Sequence, residues 1–128
     1  MRKINEDKLF RKYPKLFPGG RKVDPKQSLM NYGICVNEGW YDLVDKLCSD
    51  IQKIVDKTPE LEQIQVIQVK EKFGGLRFYI RHGAQSISNL IHKAEAESFE
   101  TCEDCGKKGN IIKTERGWLR TLCKSCKK

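Results

Sequence analysis

The chain has 128 residues, 38% of them hydrophobic and 33% charged, which allows one ordinary domain with a modest core and excludes a string of domains. No stretch approaches the roughly 20 apolar residues of a membrane-spanning helix, so no membrane role is expected. The formal charge of +8 is unevenly spread: residues 1–30 carry nine Lys/Arg against three acids, residues 31–69 three against seven, and residues 101–128 eight against three.

The first thirty residues mix basic groups with Leu9, Phe10, Tyr13, Leu16 and Phe17, and are broken by Pro14, Pro18, Gly19, Gly20 and Pro25. They read as a basic N-terminal segment with at most one short helix followed by loop. Met1–Phe10 lacks the apolar run of a secretory signal, so the chain is expected in a reducing cytoplasm. From Asn37 the pattern changes. Trp40, Leu43, Val44, Leu47, Cys48, Ile51, Ile54 and Val55 recur at three- and four-residue steps with charged residues between them, which predicts an amphipathic helix. Asn37 is the expected N-cap, Glu38 and Asp42 suit the positive end of the dipole, and Thr58-Pro59 ends the run.

A β-hairpin follows. Ile64, Val66 and Val69 lie on one side of the turn Gly74-Gly75, and beyond it Leu76, Phe78 and Ile80 alternate with Arg77, Tyr79 and Arg81, giving one core face and one basic, aromatic face. A second helix is expected to follow Ser86 or Ser88, with Ile87, Leu90, Ile91 and Ala94 inward, running to Phe99. Helices packed on a hairpin or small antiparallel sheet make the fold class α+β, with its core over residues 31–99.

Residues 100–128 form a third unit. Cys102, Cys105, Cys123 and Cys126 are spaced C-x2-C-x17-C-x2-C. Two residues between cysteines aim both sulfurs at one ion, and the long excursion returns the second pair as a hairpin, so a four-cysteine zinc ribbon is expected. Four thiolates leave no open coordination position, which makes such a zinc structural. Two disulfides are the alternative, disfavoured in a reducing compartment. Only Lys127 and Lys128 follow Cys126, so a minimal ribbon or zinc hairpin is expected rather than a treble clef. The short step from Phe99 to Cys102 implies that the ribbon packs on the domain. Cys35 and Cys48 read as small buried apolar residues.

These blocks carry a resemblance. Asn31-Tyr32-Gly33-Ile34, Glu38-Gly39-Trp40-Tyr41-Asp42-Leu43, the run VKEKFGGLRFY over 69–79, Cys102-x-x-Cys105-Gly106, Gly117-Trp118 and Thr121-Leu122-Cys123-x-x-Cys126 resemble a group of small proteins of bacteriophage and prophage genomes, over residues 29–126. The resemblance implies an accessory protein of the host cytoplasm, aimed at host machinery or host defence, and it implies no catalytic residues.

Nothing in the residues points to an enzyme. There is no HExxH, no phosphate-binding glycine loop and no G-x-S-x-G. Arg81-His82-Gly83 matches a phosphatase tripeptide without the long α/β domain that surrounds that motif, and Glu38 and Asp42, one helical turn apart, read as first-turn acids before they read as a carboxylate pair. Binding is better represented. Arg77, Tyr79 and Arg81 share a strand face and span about 13 Å at roughly 3.3 Å per residue, where guanidinium groups grip phosphates and a tyrosine stacks on a base. Their alternative is a solvated outer face. Lys113, Arg116 and Arg120 accompany Trp118 on the excursion between the cysteine pairs, either offered to a phosphate-bearing ligand or, for Trp118, plugged between ribbon and domain. The expected partner is a nucleic acid or nucleotide; the alternative is a host protein inhibited by direct contact.

Overall fold

The computed structural model describes residues 1–127. In chain order it contains α1 (Lys3–Lys12), β1 (Ile34–Cys35), α2 (Tyr41–Lys57), β2 (Gln65–Lys72), β3 (Gly75–Arg81), α3 (Gln85–Ser98), β4 (Asn110–Lys113) and β5 (Leu119–Leu122). The fold is α+β, as the patterning indicates. None of the described helices is long and apolar enough to cross a membrane.

The apolar stripe of α2 is buried at Leu43, Val44, Leu47, Cys48, Ile51 and Val55, the face that 3.6-residue periodicity selects. The helix begins at Tyr41 rather than after Asn37, because Glu38–Trp40 first makes a separate 3-10 turn. Asn37 caps nothing with its side chain; its amide donates instead to Asp104 at 2.8 Å. Glu38 accepts hydrogen bonds from the Arg2 N–H and the Asn5 amide. Burial works against its ionised form, but these bonds prevail and hold its carboxyl below the usual range. Its work is to tie α1 to the turn before α2. Helix α3 starts at Gln85, before Ser86 and Ser88 rather than after either, following an extended Ala84 with no side-chain cap.

The first sheet has the order β1-β2-β3, with β1 parallel and β3 antiparallel to the central β2. The pairing skips one residue between Val66 and Gln68, so Ile67 forms a bulge that turns both Val66 and Val69 to the core although they lie three apart. The Leu29 N–H donates to the Ile67 carbonyl at 2.8 Å, satisfying the acceptor that the bulge frees. The hairpin turn is shifted by one from expectation: its left-handed residues are Phe73 (φ 53°) and Gly74 (φ 86°), the pattern of a type I′ turn. Gly75 opens β3, where its bareness serves packing, since a Cβ there would lie 2.4 Å from the Phe99 ring. Along the outer edge of β3, the Leu76 N–H donates to Ser98 Oγ at 2.9 Å and the Phe78 N–H to Glu95 Oε2 at 3.2 Å. Cys48 is buried as expected; Cys35 is exposed, because alternation in β1 sends Ile34 and Val36 inward and Cys35 out.

The basic N-terminal segment shares the same core. Leu9, Tyr13, Leu16, Phe17 and Met30 pack with the buried residues of α2, β2, β3 and α3. Glu6, only 1% exposed, accepts the Ile34 N–H at 2.8 Å and bonds Arg21 Nη2 at 3.1 Å. Arg21 is half exposed and stays solvated without its partner, but the buried Ile34 N–H would lose its acceptor, so Glu6→Ala is expected to cost about 1–3 kcal/mol in denaturant melts. A loss near the ordinary surface value of about 0.5 kcal/mol would contradict this role.

Candidate metal centre and the cleft beside it

The second sheet is the β4–β5 hairpin, and it returns Cys123 and Cys126 to Cys102 and Cys105. Each pair sits on a tight knuckle. The Gly106 N–H donates to the Cys102 carbonyl at 2.9 Å with Gly106 at φ 82°, and the Cys126 and Lys127 N–H groups converge on the Cys123 carbonyl at 3.2 and 3.0 Å. All four Sγ atoms lie within 4.8 Å of one another, and Cys105 and Cys123 are 3.5 Å apart. A tetrahedral ion with metal–sulfur bonds of about 2.3 Å demands sulfurs about 3.8 Å apart, so the set fits a metal, and no disulfide joins these cysteines.

The protein favours thiolates at half of the set. Cys123 is lowered to about 7, chiefly by a backbone N–H bond from Cys126. Cys102 is lowered as well: burial opposes its ionisation, but backbone N–H groups outweigh it. Cys126 is raised to about 12, first by its hydrogen bond to Cys123, and Cys105 is raised too. A cation arriving at this cluster meets two sulfurs, Cys102 and Cys123, biased toward the thiolate, and must displace the protons of Cys105 and Cys126.

The ribbon is docked on the domain, and Gly39 shows how closely. A Cβ at Gly39 would stand 2.2 Å from the Cys102 carbonyl oxygen and 2.5 Å from the Glu103 backbone; the Gly39 N–H donates to the Glu103 carbonyl at 2.7 Å. Fully buried Trp40 donates its indole N–H to the Thr101 carbonyl at 2.8 Å. On the other side, Thr121 Oγ1 donates to the Gly74 carbonyl at 2.7 Å. Trp40 is therefore the plug between ribbon and domain, while Trp118 stands 67% exposed. Glu103 is buried beneath the knuckle. Burial pushes its carboxyl up, opposed by the Asn37 N–H at 3.1 Å and by Arg120 at 3.5 Å.

The ligand-binding residues expected from sequence fall into two groups. Arg77, Tyr79 and Arg81 point away from the helices, on the sheet face they share with Lys70 and Gln68 across the β2–β3 ladder; Tyr79 is 42% exposed, and Arg81 donates to Gln65 Oε1 at 3.3 Å. Lys113, Arg116, Trp118 and Arg120 instead line an open cleft of about 1210 Å³ between the β4–β5 hairpin and the β2–β3 turn. Arg120 lies on its floor, bonded to Asp104 at 2.8 Å. The two groups adjoin through Cys35 and Lys72, which line the cleft: Cys35 pairs with Lys70 across β1–β2, and Lys72 is two residues beyond Lys70 on β2. Sequence reasoning missed Phe73 and Lys72 in the cleft wall. The available signal was a bulky apolar residue before Gly-Gly, in a turn position that favours Asn, Asp or Gly. His82, of the tripeptide Arg81-His82-Gly83, is an exposed residue at φ 60° after β3.

No protein-family model, curated protein or solved structure matches this chain.

Proposed function

We propose that this protein is a zinc-stabilised binding protein that takes a phosphate-bearing strand, a single-stranded nucleic acid, on the open face of its sheet. The observation that carries this reading is a basic row around an exposed aromatic ring. Lys70, Arg77 and Arg81 surround Tyr79, and among the described residues none of the three cations forms an ion pair, unlike Arg2, Lys12, Lys15, Arg21 and Arg120. Cations that the fold leaves without a carboxylate attract phosphates, and a solvent-facing tyrosine stacks on any base. Zinc is the metal that four thiolates in tetrahedral array select among common cellular divalent ions. Four ligands fill its sphere, so it holds the ribbon and leaves binding to the side chains. The resemblance to phage proteins supports an accessory role in a bacterial host.

The test is a titration of the metal-loaded chain with labelled single strands, duplexes and nucleotides at several salt concentrations. Replacing Arg77 and Arg81 together by Gln is expected to weaken strand binding and flatten its salt dependence, since each lost phosphate contact removes counterion release. Tyr79→Ala is expected to cost about 1–3 kcal/mol with little change in salt slope. Wild-type protein that binds none of these ligands would overturn the reading. A second reading, inhibition of a host protein by direct contact, is favoured by the exposed apolar side chains Ile111, Trp118 and Leu119 on the ribbon; binding of that kind responds far less to salt.

A further inference from the structure

We infer that the cleft between the β2–β3 turn and the β4–β5 hairpin accepts an unstacked nucleobase at Phe73 and Trp118, with the attached phosphate on Lys72, Lys113 and Arg116; the inference rests on the phosphate-ligand reading above. Phe73 is the first reason. It occupies φ 53° with its side chain 64% exposed, a left-handed conformation that an L-residue adopts at a cost, at a position glycine or asparagine would fill more easily. The ring lies outside the core with Lys72 Nζ 5.5 Å from its centroid, so the fold bears a local penalty for placing an aromatic ring and a cation together on the cleft wall. Such outliers gather where a ligand is held.

Trp118 is the second reason. Its backbone is fixed rather than loose: the Thr114 N–H donates to the Trp118 carbonyl at 2.7 Å, the Trp118 N–H donates to Thr114 Oγ1 at 3.1 Å, and Gly117 takes φ 84° to close the turn. Both aromatic residues line the same cleft. A backbone held in this way fixes where the exposed indole is presented, and an exposed aromatic ring is a stacking platform for bases.

The cleft lining carries as many acids as cations, Glu71, Glu103, Asp104 and Glu115 with Lys72, Lys113, Arg116 and Arg120, and it is their pairing that favours the same ligand. Of the acids lining the cleft, Glu71 accepts the Gly74 N–H at 2.7 Å, and Glu103 and Asp104 are engaged by Arg120. Lys72, Lys113 and Arg116 have no ion pair among the described residues, so they are the rim cations that a phosphate can meet directly. At about 1210 Å³ the cleft exceeds the usual 300–1,000 Å³ of small-molecule pockets, and Lys72 in its lining is two residues along β2 from Lys70 of the basic sheet face. A strand lying on that face can turn one base into the cleft.

The experiment exploits the two tryptophans. Trp40 is fully buried and Trp118 is exposed, so a ligand in the cleft acts on the Trp118 emission. The metal-loaded full chain is titrated with a labelled 12-nucleotide oligothymidine and with adenosine 5′-monophosphate, following Trp118 emission and, for the strand, anisotropy. The expected result is quenching on strand binding. Phe73→Gly, which relieves the left-handed strain, should melt at or above the wild-type temperature yet bind the strand about tenfold more weakly, and Trp118→Ala should match it. Quenching by the mononucleotide at similar affinity would support the site with a free nucleotide as its source; quenching by the strand alone would support it with a nucleic acid. Strand binding that depends on Arg77 and Arg81 but leaves Trp118 emission and the Phe73→Gly affinity unchanged overturns the cleft while sparing the sheet face. Binding of neither ligand overturns both. A Trp118 response only to an acidic, phenylalanine-containing peptide overturns the inference in favour of a protein-docking groove.

Discussion

Cys123→Ser is expected to release the metal and unfold the ribbon while α2 and the β2–β3 hairpin persist. Among the described residues the ribbon contributes only Cys102 and Leu122 to the buried apolar set, and neither belongs to the main cluster. A unit this short with so little core folds on metal-binding energy, which for structural zinc in small domains amounts to about 10–16 kcal/mol. The domain keeps its own cluster, from Leu9 to Ala94, but loses the Thr101 acceptor of Trp40 and the Glu103 acceptor of Gly39, so its melting temperature should also drop. Elemental analysis and amide exchange check both halves of the expectation. A variant with wild-type metal content would contradict it. Acid should act in the same direction on the native chain: the thiols must shed protons to bind, so metal is retained at neutral pH and lost as protons compete at lower pH.

Gly39→Val is expected to separate docking from metal binding. Its side chain would enter space already held by the Cys102 and Glu103 backbone, at 2.2 and 2.5 Å from the first added carbon. Backbone cannot rotate aside as a flexible side chain does, so the knuckle must withdraw. The hydrogen bonds from the Gly39 N–H and the Trp40 indole would be lost with it. Two or three such bonds at about 0.5–1.5 kcal/mol each, with the contact area between the two units, give an expected destabilisation of about 2–4 kcal/mol. Metal stoichiometry should remain that of the wild type, because all four ligands lie within residues 102–126. Denaturant melts paired with metal analysis test this. If the Gly39→Val variant melts within about 0.5 kcal/mol of wild type, the close approach at Gly39 does not hold in solution.

Much of the fold and of the metal cluster is legible in the amino-acid sequence itself. The α2 stripe and the inward face of β3 follow from periodicity, and the cysteine spacing announces its own cluster, because each of these signals is local and repeats. What is not legible depends on distant partners. β1 has two residues, too few for alternation to register. The Ile67 bulge leaves no trace in composition, yet it decides that Val66 and Val69 face the same way. Asn37 carries a good capping side chain, but Asp104 and Glu103 recruit its polar groups from the other end of the chain. Gly39 looks like any glycine near a helix start until the ribbon backbone is seen against it. For the candidate ligand surface, sequence identifies the cations and Trp118 but divides them only by strand and excursion. The division into sheet face and cleft, joined through Cys35 and Lys72, is a product of docking.

The contact between Trp40 and Thr101, 61 residues apart in sequence, also sets the order of assembly. Long-range contacts form late, because the chain between them must first lose its freedom. During synthesis α2 emerges well before the segment that accepts the Trp40 indole proton, and that segment is held in place only once the cysteine pairs have closed. Until then one end of the core stays uncapped. Maturation is therefore expected to finish at the carboxy-terminal knuckles, where a metal taken up by the four cysteines would complete the last step for a tryptophan that touches no ligand atom.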